Sequence, residues 1–274
     1  MSALSTTQFR MISALARDRW GLDLSDRKKE TVANRISSFV RKSRFASVQE
    51  YLRHLKHEAD EQDMLVFFDI LSTNVTSFFR DRAHFDYLER EFYTALARKN
   101  LTLPNRRIRL WSAACSTGPE PYSMAINAMD SLPNLSEWDF KILATDLSTS
   151  ALRKARAATY PVEMVGDLDR AVVRKYFESV AGPNGEQVTP KPEVRRLVTI
   201  ARLNLVDPWP MRGPFDVIFC RNVMIYFDAP TRENLVRRFY ELLRPGGYLA
   251  VGSAETLSGL DTGFRTATAN VYVK

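Results

Sequence analysis

Apolar positions recur at helical spacing through the first third of the chain. Phe9, Ile12, Leu15 and Ala16 mark one helix, Val32, Ile36, Phe39 and Val40 a second, and Val48, Tyr51, Leu52 and Leu55 a third. Met64, Phe67, Phe68 and Leu71 mark a fourth, and Phe85, Leu88, Phe92 and Leu96 a fifth that begins just after Asp81. Beyond Asn105 the period changes. Residues 108–113, 140–145 and 215–220 are short apolar runs, each followed by a turn and then a helical stretch. Asp228 is placed to cap the last of those helices, with Pro230 in its first turn, and Pro245-Gly-Gly247 is expected to stop it. Residues 248–252 read as a fourth strand and 270–274 as one more. Strands alternating with helices imply a parallel sheet covered on both faces, the α/β class. Two short β-like runs between 174 and 203 interrupt the alternation. They flank Ala181-Gly-Pro-Asn-Gly185, with Val194, Leu197, Val198 and Ile200 in the second run, and predict an inserted hairpin.

In such a sheet, ligands bind outside the carboxyl ends of the strands. That rule selects residues 115–121, Asp146 with Leu147, and residues 221–226. The first loop holds one glycine, Gly118, and neither GxGxxG nor GxxxxGK[ST] occurs. A pyrophosphate cofactor favours several glycines there, whereas a nucleoside cofactor without phosphates needs fewer. S-adenosylmethionine fits, with a strand-terminal acid for its ribose and another carboxylate for its amino group. Asp146 is suited to the ribose hydroxyls or to capping the next helix. Glu120, at a helix start, is suited to the cofactor or to the helix dipole.

Charge and composition narrow the class. The 274 residues carry 39 basic and 32 acidic side chains, net +7, and 45% are hydrophobic. That is ordinary globular composition, which excludes wholesale disorder and a coiled-coil rod. No apolar run approaches the roughly 18 residues of a membrane span, and no secretory leader is apparent at the N-terminus. Two distant cysteines, Cys115 and Cys220, predict a reducing cytoplasm rather than a disulfide framework. His54, His57 and His84 are too few for a metal centre; His54 and His57 read as surface residues, and no metal is expected. Between Arg27 and Arg44 seven basic residues face one acid, Glu30. Lys28, Arg35 and Lys42, each seven apart, share one face of the second helix, away from Val32, Ile36 and Phe39, and suit an acidic partner.

Four segments then combine. Asn74-Val-Thr-Ser-Phe-Phe-Arg80, Ala114-Cys-Ser-Thr-Gly-Pro-Glu-Pro-Tyr-Ser123, Ala144-Thr-Asp146 and Phe219-Cys-Arg-Asn-Val-Met-Ile-Tyr-Phe-Asp228 together resemble the chemotaxis receptor methyltransferases, the CheR family. The resemblance covers nearly the whole chain. It implies a Rossmann-like class I S-adenosylmethionine-dependent methyltransferase domain over 74–274, a helical domain over 1–73, and a small antiparallel β-subdomain inserted at about 174–203. It implies methylation of glutamate side chains on the cytoplasmic helices of chemoreceptors, with S-adenosylhomocysteine as the product. It assigns cofactor contacts to Asn74, Thr76, Arg80, Glu120, Asp146, Asn204, Leu205, Arg221 and Asn222, and action on the substrate carboxylate to Arg80 and Tyr226. Pro119 departs from the family, which more often has an acid there, and Gly252-Ser-Ala-Glu255 also looks variant, with no site role drawn from it. The hairpin resembles the family's receptor-tail docking element. Lys28, Arg35 and Lys42 are expected to steer glutamate-rich receptor helices, with the enzyme acting as a cytoplasmic monomer without nucleic acid or membrane insertion. Competing readings are a nucleic-acid methyltransferase, whose Asn/Asp-Pro-Pro-aromatic signature is replaced here by Arg221-Asn-Val-Met-Ile-Tyr226, and a non-catalytic module that responds to S-adenosylmethionine.

Overall fold

A computed structural model describes residues 4–98, 101–182 and 185–274. Ser5 and Gln8 cap each other reciprocally to start helix α1 (Thr6–Trp20). Gly21 ends it at φ 68°, where an added Cβ would lie 2.9 Å from Val206, so glycine answers both the left-handed turn and the close approach. Helices α2 (Lys29–Val40), α3 (Val48–His57) and α4 (Glu61–Leu71) follow, the last two capped by Ser47 and Asp60. Their apolar faces close on Ile12, Trp20, Ile36, Tyr51 and Phe67, with Trp20 in ring contact with Phe67 and Phe68. Full burial of each large side chain contributes about 2–3 kcal/mol. His54 is buried, contrary to the surface reading: its Nε2 lies 2.8 Å from Asp63 on α4 and its ring packs on Phe45. Spacing on α3 could not show that the next helix brings an acid to it.

Residues 72–82 lead into α5 (Ala83–Tyr87), which continues through a π-helical stretch (Leu88–Tyr93) into α6 (Thr94–Ala97). Strand β1 (Arg107–Ala113), α7 (Pro119–Ser131), β2 (Asp139–Asp146) and α8 (Thr149–Ala157) form the first α/β units. Then come β3 (Tyr160–Pro161), α9 (Arg170–Tyr176), β4 (Phe177–Gly182), β5 (Gly185–Pro190) and α10 (Pro192–Arg195). The chain closes with β6 (Val198–Arg202), β7 (Phe215–Cys220), α11 (Ala229–Leu242), β8 (Leu243–Val251), β9 (Arg265–Thr268) and β10 (Val271–Val273).

The main sheet has the order β6-β2-β1-β7-β8-β10-β9. Five strands, β6 to β8 in that order, are parallel, and β10 lies antiparallel between β8 and β9. This is a Rossmann-like α/β sheet, accompanied by the helical N-terminal region and a small antiparallel sheet. Alternate residues feed two cores. Ile108 and Leu110 point to one face with Phe85, Phe92 and Phe219, whereas Trp111 and Ala113 point to the other with Ile218 and Phe239. All six residues of β7 are buried, which is why the central strand reads as an apolar run interrupted only by Asp216, whose carboxylate accepts from Arg109 N and Arg244 Nε.

The inserted hairpin is β4 with β5, and β3 pairs on β5's other side. Its tip, Pro183 and Asn184, lies outside the described residues. The second run expected for it does not pair there: Val194 sits on α10, and β6 joins the main sheet, Val198 opposite Ile142. Alternating apolar residues specify a strand but not its partner. Helix α11 ends at Leu242, three residues before the Pro-Gly-Gly breaker. Strand β9, polar and exposed at the sheet edge, gave no apolar alternation to read.

Candidate active site

Strand order reverses at β1, between β2 and β7, so a crevice opens above their carboxyl ends. A cleft of about 270 Å³ lies there, lined by residues 114–116, 120, 146–147, 203–205, 221–223 and 226–227 from the loops that follow the strands, and by α2 and residues 71–76 and 80. After β1 the chain turns sharply, with Ala114 at φ 65° and Ser116 at φ 51°. Non-glycine residues in that region are strained and persist where the surroundings over-determine them. Here Cys115 N donates to Thr145 O (2.8 Å) and Ser116 N to Asp146 Oδ2 (2.8 Å). Gly118, at φ 103°, has no room for a side chain, since a Cβ would meet Tyr160 Oη at 2.7 Å and the α8 backbone at Ala155 at 3.1 Å.

Asp146 ends β2 with its carboxylate buried, accepting from Ser116 N and from Ser148 N (2.9 Å). The cap of α8 is Ser148, whose Oγ accepts from Ala151 N (3.0 Å). Asp146 is thereby relieved of the capping role. Glu120 stands on the first turn of α7, accepting from Ser112 Oγ (2.7 Å) and Arg221 Nη1 (3.0 Å). Burial pushes both carboxyls above the ordinary range, opposed at Glu120 by the Arg221 charge and at Asp146 by the backbone N–H groups it accepts.

Arg221 is enclosed, its side chain 2% exposed. Beyond Glu120 it donates from Nη2 to Arg80 O (2.6 Å) and Asp81 Oδ2 (2.7 Å). The Arg80 segment is strained on both sides, with Phe79 at φ 50° and Asp81 at φ 52°. Ser123 Oγ accepts from Phe79 N (2.9 Å) and completes the hold. Among the described residues the Arg80 guanidinium itself makes one hydrogen bond, to Val75 O (3.0 Å), and otherwise lines the cleft. Asn74 Oδ1 accepts from Ser116 Oγ (3.2 Å), Thr76 lines the same wall, and Val75 between them is 73% exposed.

Across the cleft, Tyr226 is fixed through its backbone: its carbonyl accepts from Asp23 N (2.7 Å), and Leu22 bridges Phe227. Lys28 Nζ stands 4.4 Å over the Tyr226 ring. Burial lowers the Lys28 pKa, with Asp23 opposing. Asn204 donates to Arg19 O (3.1 Å), and Leu205 is buried with its carbonyl taken by Arg238 and Trp209.

The family profile described as "CheR methyltransferase, SAM binding domain" matches residues 74–273, and "CheR methyltransferase, all-alpha domain" matches residues 7–67. The chain belongs to the CheR methyltransferase family. Similar curated proteins include the chemotaxis protein methyltransferase of Escherichia coli, 37% identical over 98% of this chain and 91% of that protein. Chemotaxis protein methyltransferase 2 of Pseudomonas aeruginosa is 40% identical over 86% of this chain and 81% of its own length. The chemotaxis protein methyltransferase of Borreliella burgdorferi is 36% identical over 88% and 85%. The cofactor of this CheR-family methyltransferase is S-adenosylmethionine, and the donor set suits it: two shielded carboxylates for a cationic, hydroxylated ligand, beside an apolar wall of Leu147, Leu203, Leu205 and Val223.

In this CheR-family enzyme the three expected docking cations do not share one face. Helix α2 ends at Val40, leaving Lys42 exposed in the turn beyond it, while Lys28 and Arg35 line the cleft. Arg35 is a strut, donating to Leu71 O (2.7 Å), Ser72 O (2.8 Å) and Thr73 Oγ1 (2.8 Å). The seven-residue spacing held only where the helix held. Ser112, Ser116, Asp81 and Glu255 are part of the site's framework and were not singled out as site residues from the sequence. For Glu255 a signal existed: an acid three residues past Gly252, at the same end of the sheet as the other loops.

Proposed function

We propose that the enzyme methylates glutamate side chains on the cytoplasmic helices of chemoreceptors, forming methyl esters, and that residues 74–274 carry the transfer while residues 1–73 meet the receptor. The observation that carries this reading is Arg80 and Tyr226 lining one cleft together with Glu120 and Asp146. The names of the curated relatives support a receptor substrate over nucleic acid.

S-adenosylmethionine supplies an electrophilic methyl group on a sulfonium and leaves as S-adenosylhomocysteine. Asp146 is assigned to the ribose hydroxyls and Glu120 to the amino group, with Asn74, Thr76, Asn204, Leu205 and Asn222 completing that side. Arg221, enclosed and donating from both Nη atoms to Glu120, Arg80 O and Asp81, serves by holding Glu120. A glutamate carboxylate, with a free pKa near about 4.3, is already ionised at neutral pH, so the chain needs no general base. Its task is orientation. Arg80 offers a planar fork that matches a carboxylate with two parallel hydrogen bonds, and Tyr226 offers a hydroxyl. The carboxylate loses its charge during transfer, so tighter pairing in the ground state would slow the reaction. Lys28 and Lys42 are assigned to steering acidic receptor helices toward the cytoplasmic enzyme.

Labelled-methyl transfer to receptor cytoplasmic fragments tests this. Carboxyl esters release their label in alkali and methylamines do not. Alkali-stable label, or preferential labelling of RNA or DNA, overturns the reading.

A further inference from the structure

Glu255 lies 30 residues beyond the loop it touches and is 5% exposed. Its Oε2 accepts from Asn222 N (2.9 Å) and Gly252 N (2.6 Å), and its Oε1 from Ile225 N (3.2 Å). Both oxygens are therefore turned on the backbone of residues 222–225, immediately before Tyr226. The loop needs such a hold. Met224 anchors it in the core at 2% exposure, but Asn222 sits at φ 58° and Ile225 is 46% exposed, so the backbone on either side of Met224 is held by these hydrogen bonds. The clasp is braced from behind. Asn270 Nδ2 donates to Gly252 O (3.1 Å) and Glu255 O (2.6 Å), and Val251 N donates to Asn270 O (2.9 Å). Gly252 leaves the space for it, because a Cβ there would lie 2.7 Å from Glu255 Oε2 and 2.8 Å from Asn222 N.

We infer that Glu255 is a positioning residue: it clasps the loop bearing Tyr226 and so sets the aim of the substrate carboxylate in the methyl transfer proposed above, on which its catalytic meaning rests. A carboxylate accepting several backbone N–H groups is a strong, geometrically specific anchor, and a displacement of about 1 Å at the reacting centre costs about a hundredfold in rate. Glu255 meets Tyr226 only through the loop backbone, and it acts from the sheet side. Asp23 N holds the Tyr226 carbonyl from the helical side.

The test uses the full chain. In Glu255→Gln one acceptor oxygen becomes an amide nitrogen facing a backbone N–H. The Asn222 and Ile225 amides are expected to exchange with deuterium roughly tenfold faster while the sheet amides stay unchanged. In the fragment assay kcat is expected to fall roughly tenfold, more than affinity for S-adenosylhomocysteine falls, and to fall no further in a Tyr226→Phe background. Gly252→Ala, which keeps the carboxylate but crowds it, is expected to reproduce both effects and serves where Glu255→Gln fails to fold. Unchanged exchange at the two amides overturns the clasp. Faster exchange with unaltered kcat, or an equal further loss in the Tyr226→Phe background, overturns its positioning role. If the wild type labels no glutamate fragment, the substrate assignment fails and the exchange result still decides the clasp.

Discussion

Glu120 and Asp146 stand on the first turn of α7 and the last residue of β2, shielded and already hydrogen-bonded. Arg80 and Tyr226, which line the same cleft, ride on an irregular segment and on a single 3-10 turn (Met224–Tyr226) respectively, near left-handed residues and the exposed Val75 and Ile225. The first pair is positioned by secondary structure. The second is positioned by anchors reaching in from distant parts of the chain: Arg221 to residues 80–81, Arg35 to residues 71–73, Asp23 to Tyr226, and Glu255 to residues 222–225. A wall for a constant small molecule can be rigid, whereas a wall that admits a protein side chain has to be open, and its order is then imposed from outside. Arg221 joins the two.

Breaking that joint should give the largest effect. Arg221→Met leaves Glu120 and Asp81 as uncompensated buried or half-buried acids, and loss of one partner of a buried pair costs about 3–5 kcal/mol. Guanidinium-chloride unfolding is expected to show that loss, with cofactor affinity falling alongside. A stability change under 1 kcal/mol, in order of magnitude, would show that the joint is not structural.

Arg80→Ala acts on the open wall alone. Among the described residues its guanidinium makes a single hydrogen bond, to Val75 O. Stability should barely move, while kcat/KM falls on the order of a hundredfold, equivalent to about 2.7 kcal/mol of transition-state stabilisation. Wild-type turnover in this variant would remove Arg80 from the mechanism.

This contrast explains what the sequence made legible. Asp146, Glu120 and Arg221, at or beyond the carboxyl ends of strands, follow apolar runs that any reading finds, and the parallel sheet follows from the alternation. The anchors are long-range. Arg221 reaches Asp81 across 140 positions and Arg35 reaches Leu71 across 36, separations that no local period encodes. The edge strands of the main sheet are hidden for a related reason: β6 differs from β5 in partner rather than in pattern, and β9 has no apolar pattern at all. His54 looks like a surface residue in sequence because the acid that meets it comes from the next helix.

The shielded wall should also be the pH-sensitive one. Burial raises the carboxyl pKa of both Glu120 and Asp146, so as pH falls they take up protons before ordinary carboxylates do. The ligand's ammonium and ribose hydroxyls then lose their anionic partners. Calorimetry with S-adenosylhomocysteine should show affinity weakening progressively below neutrality, and Glu120→Gln should flatten that dependence. Affinity that rises on acidification would contradict the assignment of these acids to the cofactor.

The smallest expected effect separates the three cations that spacing alone had grouped. Lys42 is exposed in a turn, so its interaction with an acidic helix is screened and worth about 0–1 kcal/mol. Lys42→Glu should raise the receptor KM by about threefold at low salt, with kcat and thermal stability unchanged, and the difference should vanish at high salt. Arg35→Glu should do the opposite. It removes three hydrogen bonds to residues 71–73, so it should lower the melting temperature at any salt concentration, because the contacts it breaks are internal. Lys28 lies between them, half-buried over Tyr226, and Lys28→Gln should change KM and kcat together. Identical salt-dependent KM shifts in all three variants would restore the single basic face and sink the division of labour drawn here.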